Sequence, residues 1–154
     1  MNDAGVPARW RSLAPYLLSL LRIVAAWLFV QYGTTKLFEL PASIVPGGGV
    51  VPLASLGGIG SLLELVGGAF LLVGLFSRPV AFLLSGEMAV AYFIGHAGPQ
   101  GAWLWPVVNG GVQAVVFCFV WLYVSAAGPG PWSLDALRGE QGRHRAPADL
   151  QRRG

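Results

Sequence analysis

Seven charged or polar side chains lie within or beside otherwise apolar stretches of this chain, and these are the residues that could do chemistry. They are Arg22, Lys36, Glu64, Glu87, His96, Asn109 and Gln113. Carboxyl and imidazole groups can exchange protons, whereas ammonium and amide groups can donate hydrogen bonds to carbonyl oxygens. An ionised group at the centre of a bilayer costs at least about 2.5–3.5 kcal/mol, so each charge in an apolar helix is expected to face other helices and to have a partner.

Glu64 lies in the apolar segment "GSLLELVGGAFLLVGLFSRP", residues 60–79. Gly60 and Gly68 flank it at i−4 and i+4, and small residues at this spacing let another helix approach closely. We therefore expect Glu64 to project into a tight seam between helices. Lys36 is its expected partner, because a lysine stem can bend from the interface toward a buried carboxylate.

The remaining polar residues are placed by counting along the helices. Arg22 and Glu87 both lie roughly 10–12 Å from the same side of the membrane at about 1.5 Å per residue, which predicts a structural ion pair between them. Asn109 and Gln113 are spaced i, i+4 and are expected to share one helix face. His96 lies nine residues after Glu87, about half a turn away from it.

The composition indicates a membrane protein. Of the 154 residues, 55% are hydrophobic and 11% are charged, whereas soluble domains carry about a quarter charged residues. The net charge of +3 comes mostly from the terminal segments and is not interleaved with aromatic residues, so nucleic-acid binding is excluded. The single cysteine, Cys118, excludes an internal disulfide and a thiolate metal site.

Four segments approach the roughly 20 apolar residues that a membrane-spanning helix needs. They cover residues 16–36, 57–76, 79–96 and 106–127. Most arginines flank one side of this arrangement, so the positive-inside rule places both termini in the cytoplasm. The predicted fold is an all-α integral membrane four-helix bundle.

Three parts of the chain are distinguished by this pattern. Residues 1–15 form a cytoplasmic N-terminal segment, residues 16–137 form the four-helix transmembrane domain, and residues 138–154 form an arginine-rich tail that is expected to be disordered.

The order of several short motifs resembles that of the DoxX family of small four-helix bacterial membrane proteins. These motifs are an arginine early in the first span, "GTTKLF" (33–38), "ELVGGAFLLVGLFSR" (64–78), His96, "NGG" (109–111) and "GPGPWSLD" (128–135). By position, this resemblance assigns the family's polar intramembrane pattern to Arg22, Lys36, Glu64, His96 and Asn109. Many members have an acidic residue directly after "NGG", whereas this chain has Val112 and then Gln113.

The resemblance implies a link to quinone-dependent membrane oxidoreductases and to oxidative-stress complexes, with quinone as the expected ligand. In that interpretation Glu64 is the candidate proton carrier, with Lys36 and His96 beside it, and Lys36, Glu64, Asn109 and Gln113 are the candidate quinone-binding residues. No covalently bound cofactor and no metal are expected. Electrons would come from a soluble partner at the cytoplasmic face.

Two other interpretations stay open. The charges could simply fix the bundle of a non-catalytic membrane anchor or assembly factor, whose arginine-rich tail recruits a soluble protein. A small-molecule transporter is the third interpretation, and it would need a homo-oligomer because four short helices are few for alternating access.

Overall fold

The computed structural model describes residues 8–139, and every regular element within them is a helix. Helix α1 covers Ala8–Phe38, α2 covers Leu56–Val73 and α3 covers Ser77–Val90, and α3 continues directly into a π-helix, Ala91–Ala97. Two short helices, α4 (Gly98–Gln100) and α5 (Pro106–Asn109), precede α6, Val112–Ala127. A final helical stretch covers 134–139.

Three of these stretches are long and apolar enough to cross a membrane, namely Trp10–Phe38, Leu56–Val73 and Ser77–Ala97. Large apolar side chains cover their outward faces; Trp27 and Phe82, for example, are 55% and 67% exposed. Such a surface suits lipid rather than water. The expected all-helical membrane fold is therefore confirmed, whereas the cytoplasmic position of the termini stays a prediction.

The fourth predicted span, 106–127, is not one helix. Gly110 adopts a left-handed conformation, with φ of 74°, and separates α5 from α6. Helix α6 has 16 residues. At 1.5 Å per residue it is about 24 Å long, less than the roughly 30 Å of a bilayer's hydrocarbon core. A fourth crossing therefore stays a prediction.

The other spans differ from the prediction at their ends. Helix α1 begins at Ala8 and contains Pro15, whereas the predicted span begins at residue 16. Helix α2 stops at Val73 because Gly74 takes a left-handed conformation with φ of 70°. The predicted N-terminal segment is thus helical from residue 8, whereas residues 1–7 and the tail residues 140–154 lie outside the described residues.

Helices α1 and α2 form one closely packed pair, and α3 and α6 form another. Gly33 on α1 lies directly against α2, because a Cβ atom built there would come within 2.7 Å of the Leu65 main-chain nitrogen. On α2, a Cβ built at Gly68 would lie 3.0 Å from Val30 of α1. These glycines produce the tight seam that the sequence predicted around Glu64.

Aromatic residues from α1 and α6 fill the centre of the bundle. The ring of Phe29 lies 5.4 Å from that of Trp121 in an edge-to-face arrangement, and Phe117 stacks on Trp121 at 6.0 Å. Phe29 and Trp121 are fully or almost fully buried. This packing joins the two helix pairs into one core.

Arg22 fastens the end of the bundle at which α2 stops, which we call the arginine end. Its fully buried guanidinium donates hydrogen bonds to the carbonyl oxygens of Leu71 and Leu72 on α2, and to those of Pro129 and Trp132 beyond α6. The last carbonyls of a helix have no partner within the helix. The Leu71 oxygen also accepts from the Gly74 N–H at 3.2 Å, and the guanidinium adds a charged donor to it and to the Leu72 oxygen.

The predicted Arg22–Glu87 ion pair is therefore wrong. Arg22 lies level with Leu71, whereas Glu87 lies against Gly60, eleven residues earlier on α2 and so about 16 Å away along the helix. The predicted depth took residue 16 as the membrane boundary, whereas α1 begins at Ala8 and extends past the level at which α2 ends, so Arg22 lies nearer that end than predicted.

Asp135 fixes the turn between α2 and α3 at the same end. Its carboxylate accepts hydrogen bonds from the main-chain N–H groups of Phe76, at 2.9 Å, and Ser77, at 2.7 Å. Phe76 has a left-handed φ of 49°, an unfavourable conformation for a residue other than glycine. Partial burial alone would raise the pKa of Asp135, but these N–H donors and the Arg138 charge outweigh it and lower that pKa.

We expect Gly33→Ala to lower the free energy of unfolding by about 1–3 kcal/mol, because the new methyl group would force α1 away from the Leu65 main chain. Gly86→Ala is the matched control, since a Cβ there meets nothing within 4 Å and alanine favours a helix by about 1 kcal/mol over glycine. Thermal unfolding in mild detergent, followed by circular dichroism, checks both variants. Equal melting temperatures would contradict the close approach of α1 and α2.

We expect Asp135→Asn to cost about 1 kcal/mol of stability at pH 7, the usual worth of a helix cap. The folded-state pKa of Asp135 is lowered, so its stabilisation is present above the unfolded pKa of about 3.9 and is lost as pH falls through the folded value. The difference in melting temperature between wild type and D135N should therefore be constant from pH 7 to 5 and shrink below about pH 4. Glu39→Gln, which removes an exposed carboxylate, is the control; a gap that widens on acidification would refute the cap.

Candidate functional site

The ionisable residues of the candidate site come from four elements and meet at the end of the bundle opposite Arg22, which we call the lysine end. Lys36 is in the last turn of α1, and Glu64 is in the middle of α2. Glu87 belongs to α3, and His96 belongs to the π-helix.

Lys36 and Glu64 form the ion pair that the sequence predicted. The lysine nitrogen Nζ lies 2.7 Å from Oε1 and 2.9 Å from Oε2 of the carboxylate. The side chain of Glu64 is 5% exposed and that of Lys36 is 29% exposed. The carboxylate is therefore withdrawn between the helices, while the lysine connects it to the surface. Lys36 also lies 5.7 Å from the centroid of the Tyr32 ring, which favours a cation at that position.

A cavity of about 670 Å³ opens between α2 and α3, and we call it the lateral cavity. Its rim includes Ile59, Phe82 and Ile94, which are 54%, 67% and 57% exposed on the outward surface. Most of its wall is apolar, and its ionisable groups are Lys36, Glu64, Glu87 and His96. The lateral cavity thus joins the lipid-facing surface to the buried charges.

The position of Glu87 in this site was not predicted from the sequence. Its Oε1 would lie 3.2 Å from a Cβ built at Gly60, and its buried Oε2 has no hydrogen-bond partner among the described residues. A signal was available in the sequence. Glu64 lies ten residues before Gly74 and Glu87 ten residues after Ser77, so two antiparallel helices joined by that short turn bring both carboxylates to the same level.

His96 reaches the lateral cavity because α3 changes its winding. A π-helix has more residues per turn than an α-helix, so it rotates the following side chains relative to an α-helical count. The prediction that His96 and Glu87 lie half a turn apart assumed an unbroken α-helix and is wrong; both line one cavity. Nδ1 of His96 lies 3.3 Å from the carbonyl oxygen of Asn109. Since a carbonyl can only accept, a hydrogen bond at this contact needs the proton on Nδ1, which in a neutral ring leaves Nε2 as an acceptor.

Asn109 and Gln113 do not share a helix face, because the chain leaves the helix between them at Gly110. Asn109 does not line the lateral cavity; its side-chain amide donates to the carbonyl oxygen of Ala102 at 3.0 Å and accepts from the Gly111 N–H at 2.8 Å. The Asn109 side chain therefore stabilises the chain between Ala102 and Gly111, and its main-chain carbonyl oxygen contacts the His96 ring. Gln113 is exposed and donates a hydrogen bond to the Tyr32 hydroxyl.

A second, smaller cavity lies on the other side of the ion pair, and we call it the inner cavity. It has a volume of about 200 Å³ and is bounded by α1, the π-helix and α6. Tyr32 and Gln113 line only the inner cavity, whereas Lys36, Glu64 and His96 line both cavities. The two cavities are therefore separated by the site's own ionisable residues.

Within residues 8–139, no three His, Cys, Asp or Glu side chains cluster closely enough to hold a metal ion. The arrangement offers groups that could carry or exchange protons (Glu64, Glu87, His96) and one fixed ammonium group (Lys36) beside an apolar wall. Such a site can bind a neutral polar head attached to an apolar body and can exchange protons with it.

Long apolar helices with ionisable groups buried between them define the class: a small helical membrane protein. Residues 17–97 match the DoxX family model, and the chain belongs to the DoxX family. An uncharacterized protein of Haemophilus influenzae is 42% identical over 123 residues, which covers 79% of this chain and 90% of that relative. No solved structure gives a significant match.

We expect Lys36→Met to lower the free energy of unfolding by about 3 kcal/mol, since it leaves the buried Glu64 carboxylate without its partner. The double variant K36M/E64Q should recover at least half of that loss, because a neutral amide needs no counter-ion. Chemical or thermal unfolding of the two single variants and the double variant gives the coupling energy. Additive effects of the two changes would show that the pair contributes no interaction of its own.

Proposed function

We propose that this protein is a quinone-binding subunit of a membrane oxidoreductase or oxidative-stress complex in the bacterial inner membrane. The observation that carries the proposal is the lateral cavity, which leads from the lipid-facing surface to the side chain of Glu87, whose buried Oε2 has no partner among the described residues. Quinones are dissolved in lipid, so a site that opens sideways suits them better than one that opens only to water.

The size and lining of the cavity fit a quinone. Its 670 Å³ lies within the range of about 300–1,000 Å³ that small-molecule sites occupy. The ring would lie at the polar end, near Lys36 and Glu87, and the apolar tail would leave between Ile59 and Phe82 toward the bilayer. A quinone in this position would pass Gly86 without displacing a side chain, because the space beside Gly86 is open.

The polar residues match the two protonation states of the ligand. A quinone carbonyl accepts a hydrogen bond, and the Lys36 ammonium can donate one. A quinol hydroxyl donates, and the Glu87 side chain or a neutral His96 ring can accept. Reduction of a quinone consumes two electrons and two protons, so a redox-active protein partner supplies the electrons and the side chains of this site relay the protons.

The alternative is a non-catalytic membrane anchor, and one observation favours it. Both oxygens of Glu64 are already paired with Lys36, so the ion pair is satisfied as a structural contact that fastens α1 to α2. The two functions differ in what the lateral cavity holds, and this difference can be measured.

The first test is organic extraction of the protein purified in mild detergent, with mass spectrometry for ubiquinones and menaquinones. We expect bound quinone in the wild type and at least a tenfold loss in Gly86→Phe, because the ring would fill the lateral cavity. Val116→Phe is the matched control: it adds the same ring at an outward position, 53% exposed, away from this cavity, and should retain the ligand.

Glu87→Gln separates the role of the free carboxylate from that of the cavity. The loss of one hydrogen bond is worth about 0.5–1.5 kcal/mol, so quinone affinity should fall about threefold to tenfold while the melting temperature is unchanged. Absence of quinone from the folded wild type, or its retention in Gly86→Phe, would sink the proposal and favour the anchor.

A further inference from the structure

The inner cavity differs from the lateral cavity in the way it reaches the outside. Its mouth lies at the lysine end, where Ile44 of the loop between α1 and α2 and the exposed Gln113 of α6 line it. Gln113 and Tyr32 are joined by a hydrogen bond there. Polar side chains at a surface mouth favour entry of water, whereas the rim of the lateral cavity is apolar.

Water at this place would also lower the cost of the buried charges. Removing two ions from water costs several kcal/mol each, which a single ion pair does not always recover. The inner cavity lies directly against Lys36 and Glu64, and its 200 Å³ holds several water molecules at about 30 Å³ each. Tyr32, Gln113 and His96 add polar partners for that water.

We propose that the inner cavity is an aqueous proton entrance that leads from the lysine end to the Lys36–Glu64 pair. The positive-inside rule places this end on the outer face of the membrane. A proton would enter along water, reach the Glu64 carboxylate and pass to a group of the lateral cavity. Each proton delivered to the ligand is replaced by one from the outer solution, so Glu64 ends in its starting state.

The elements packed around Glu64 supply every step of this route. Helix α1 contributes Tyr32 and Lys36, α3 contributes Glu87, and the π-helix contributes His96, while the facing residue of α6 is the uncharged Gln113. His96 lines both cavities and is the second link between them. The destination of the proton rests on the proposed function, but the entry of water to Glu64 does not.

Thiol labelling tests the entry of water directly. Replacing Cys118 by serine removes the single native cysteine, and Ala114→Cys then places one thiol at the inner cavity. The probe is 2-(trimethylammonium)ethyl methanethiosulfonate, a charged reagent that reacts with thiols in water, applied to the protein in liposomes. Val116→Cys, two residues along α6 and facing outward, is the matched control.

We expect Ala114→Cys to be labelled at least tenfold faster than Val116→Cys. Met88→Cys, at the inner cavity on α3, is a second position that reports on the same space if the α6 variant does not fold. Labelling of the inner-cavity positions at or below the rate of Val116→Cys would overturn the entrance.

Quinone content measured in the same samples separates this inference from the proposed function. Fast labelling in protein that holds no quinone supports the aqueous entrance and counts against the quinone site. Bound quinone together with slow labelling supports the quinone site and counts against the aqueous entrance. Ala114→Phe, which fills the inner cavity, should abolish labelling of Met88→Cys and leave the extracted quinone unchanged.

Discussion

The need to keep one carboxylate inside an apolar bundle explains most of the lysine end. Glu64 is almost completely buried, so it requires a cation within reach and helices that approach closely enough to exclude lipid. Lys36 supplies the charge, and the glycine contacts at Gly33 and Gly68 bring α1 against α2. Both cavities adjoin the pair, since Lys36 and Glu64 line each of them.

The buried polar groups at the two ends of the bundle differ in how far they are hydrogen-bonded. At the arginine end, Arg22 donates to main-chain acceptors and Asp135 accepts from main-chain donors, so each charge is satisfied within the fold. At the lysine end, Glu87 Oε2 has no partner among the described residues, and His96 has one ring nitrogen committed to a main-chain carbonyl. Gln31 Nε2, Ser77 Oγ and Trp121 Nε1 also lack partners among the described residues, but of these residues only Glu87 lines the lateral or the inner cavity. An unpaired polar group beside a cavity is available to a ligand, which is expected of a binding site.

The sequence predicted the helical membrane fold, the family and the Lys36–Glu64 contact, because these depend on composition, motif order and simple helix periodicity. It could not place Arg22, whose partners are carbonyl oxygens from two distant segments and carry no side-chain signature. Nor could it place His96, since periodicity assumes α-helical winding and the π-helix changes the count. The break at Gly110 separated Asn109 from Gln113 for a similar reason: a glycine is compatible with a helix and with its interruption.

The Arg22 contacts also bear on how this chain can vary. Every acceptor of the guanidinium is a main-chain oxygen, so the side chains of Leu71, Leu72 and Trp132 can be exchanged for others of similar polarity without removing an acceptor. The donor has no such freedom, because a lysine has one nitrogen where these contacts use three. The arginine end should therefore tolerate exchange of the residues that supply the acceptors better than exchange of Arg22, a pattern that a survey of random variants would detect without any assay of activity.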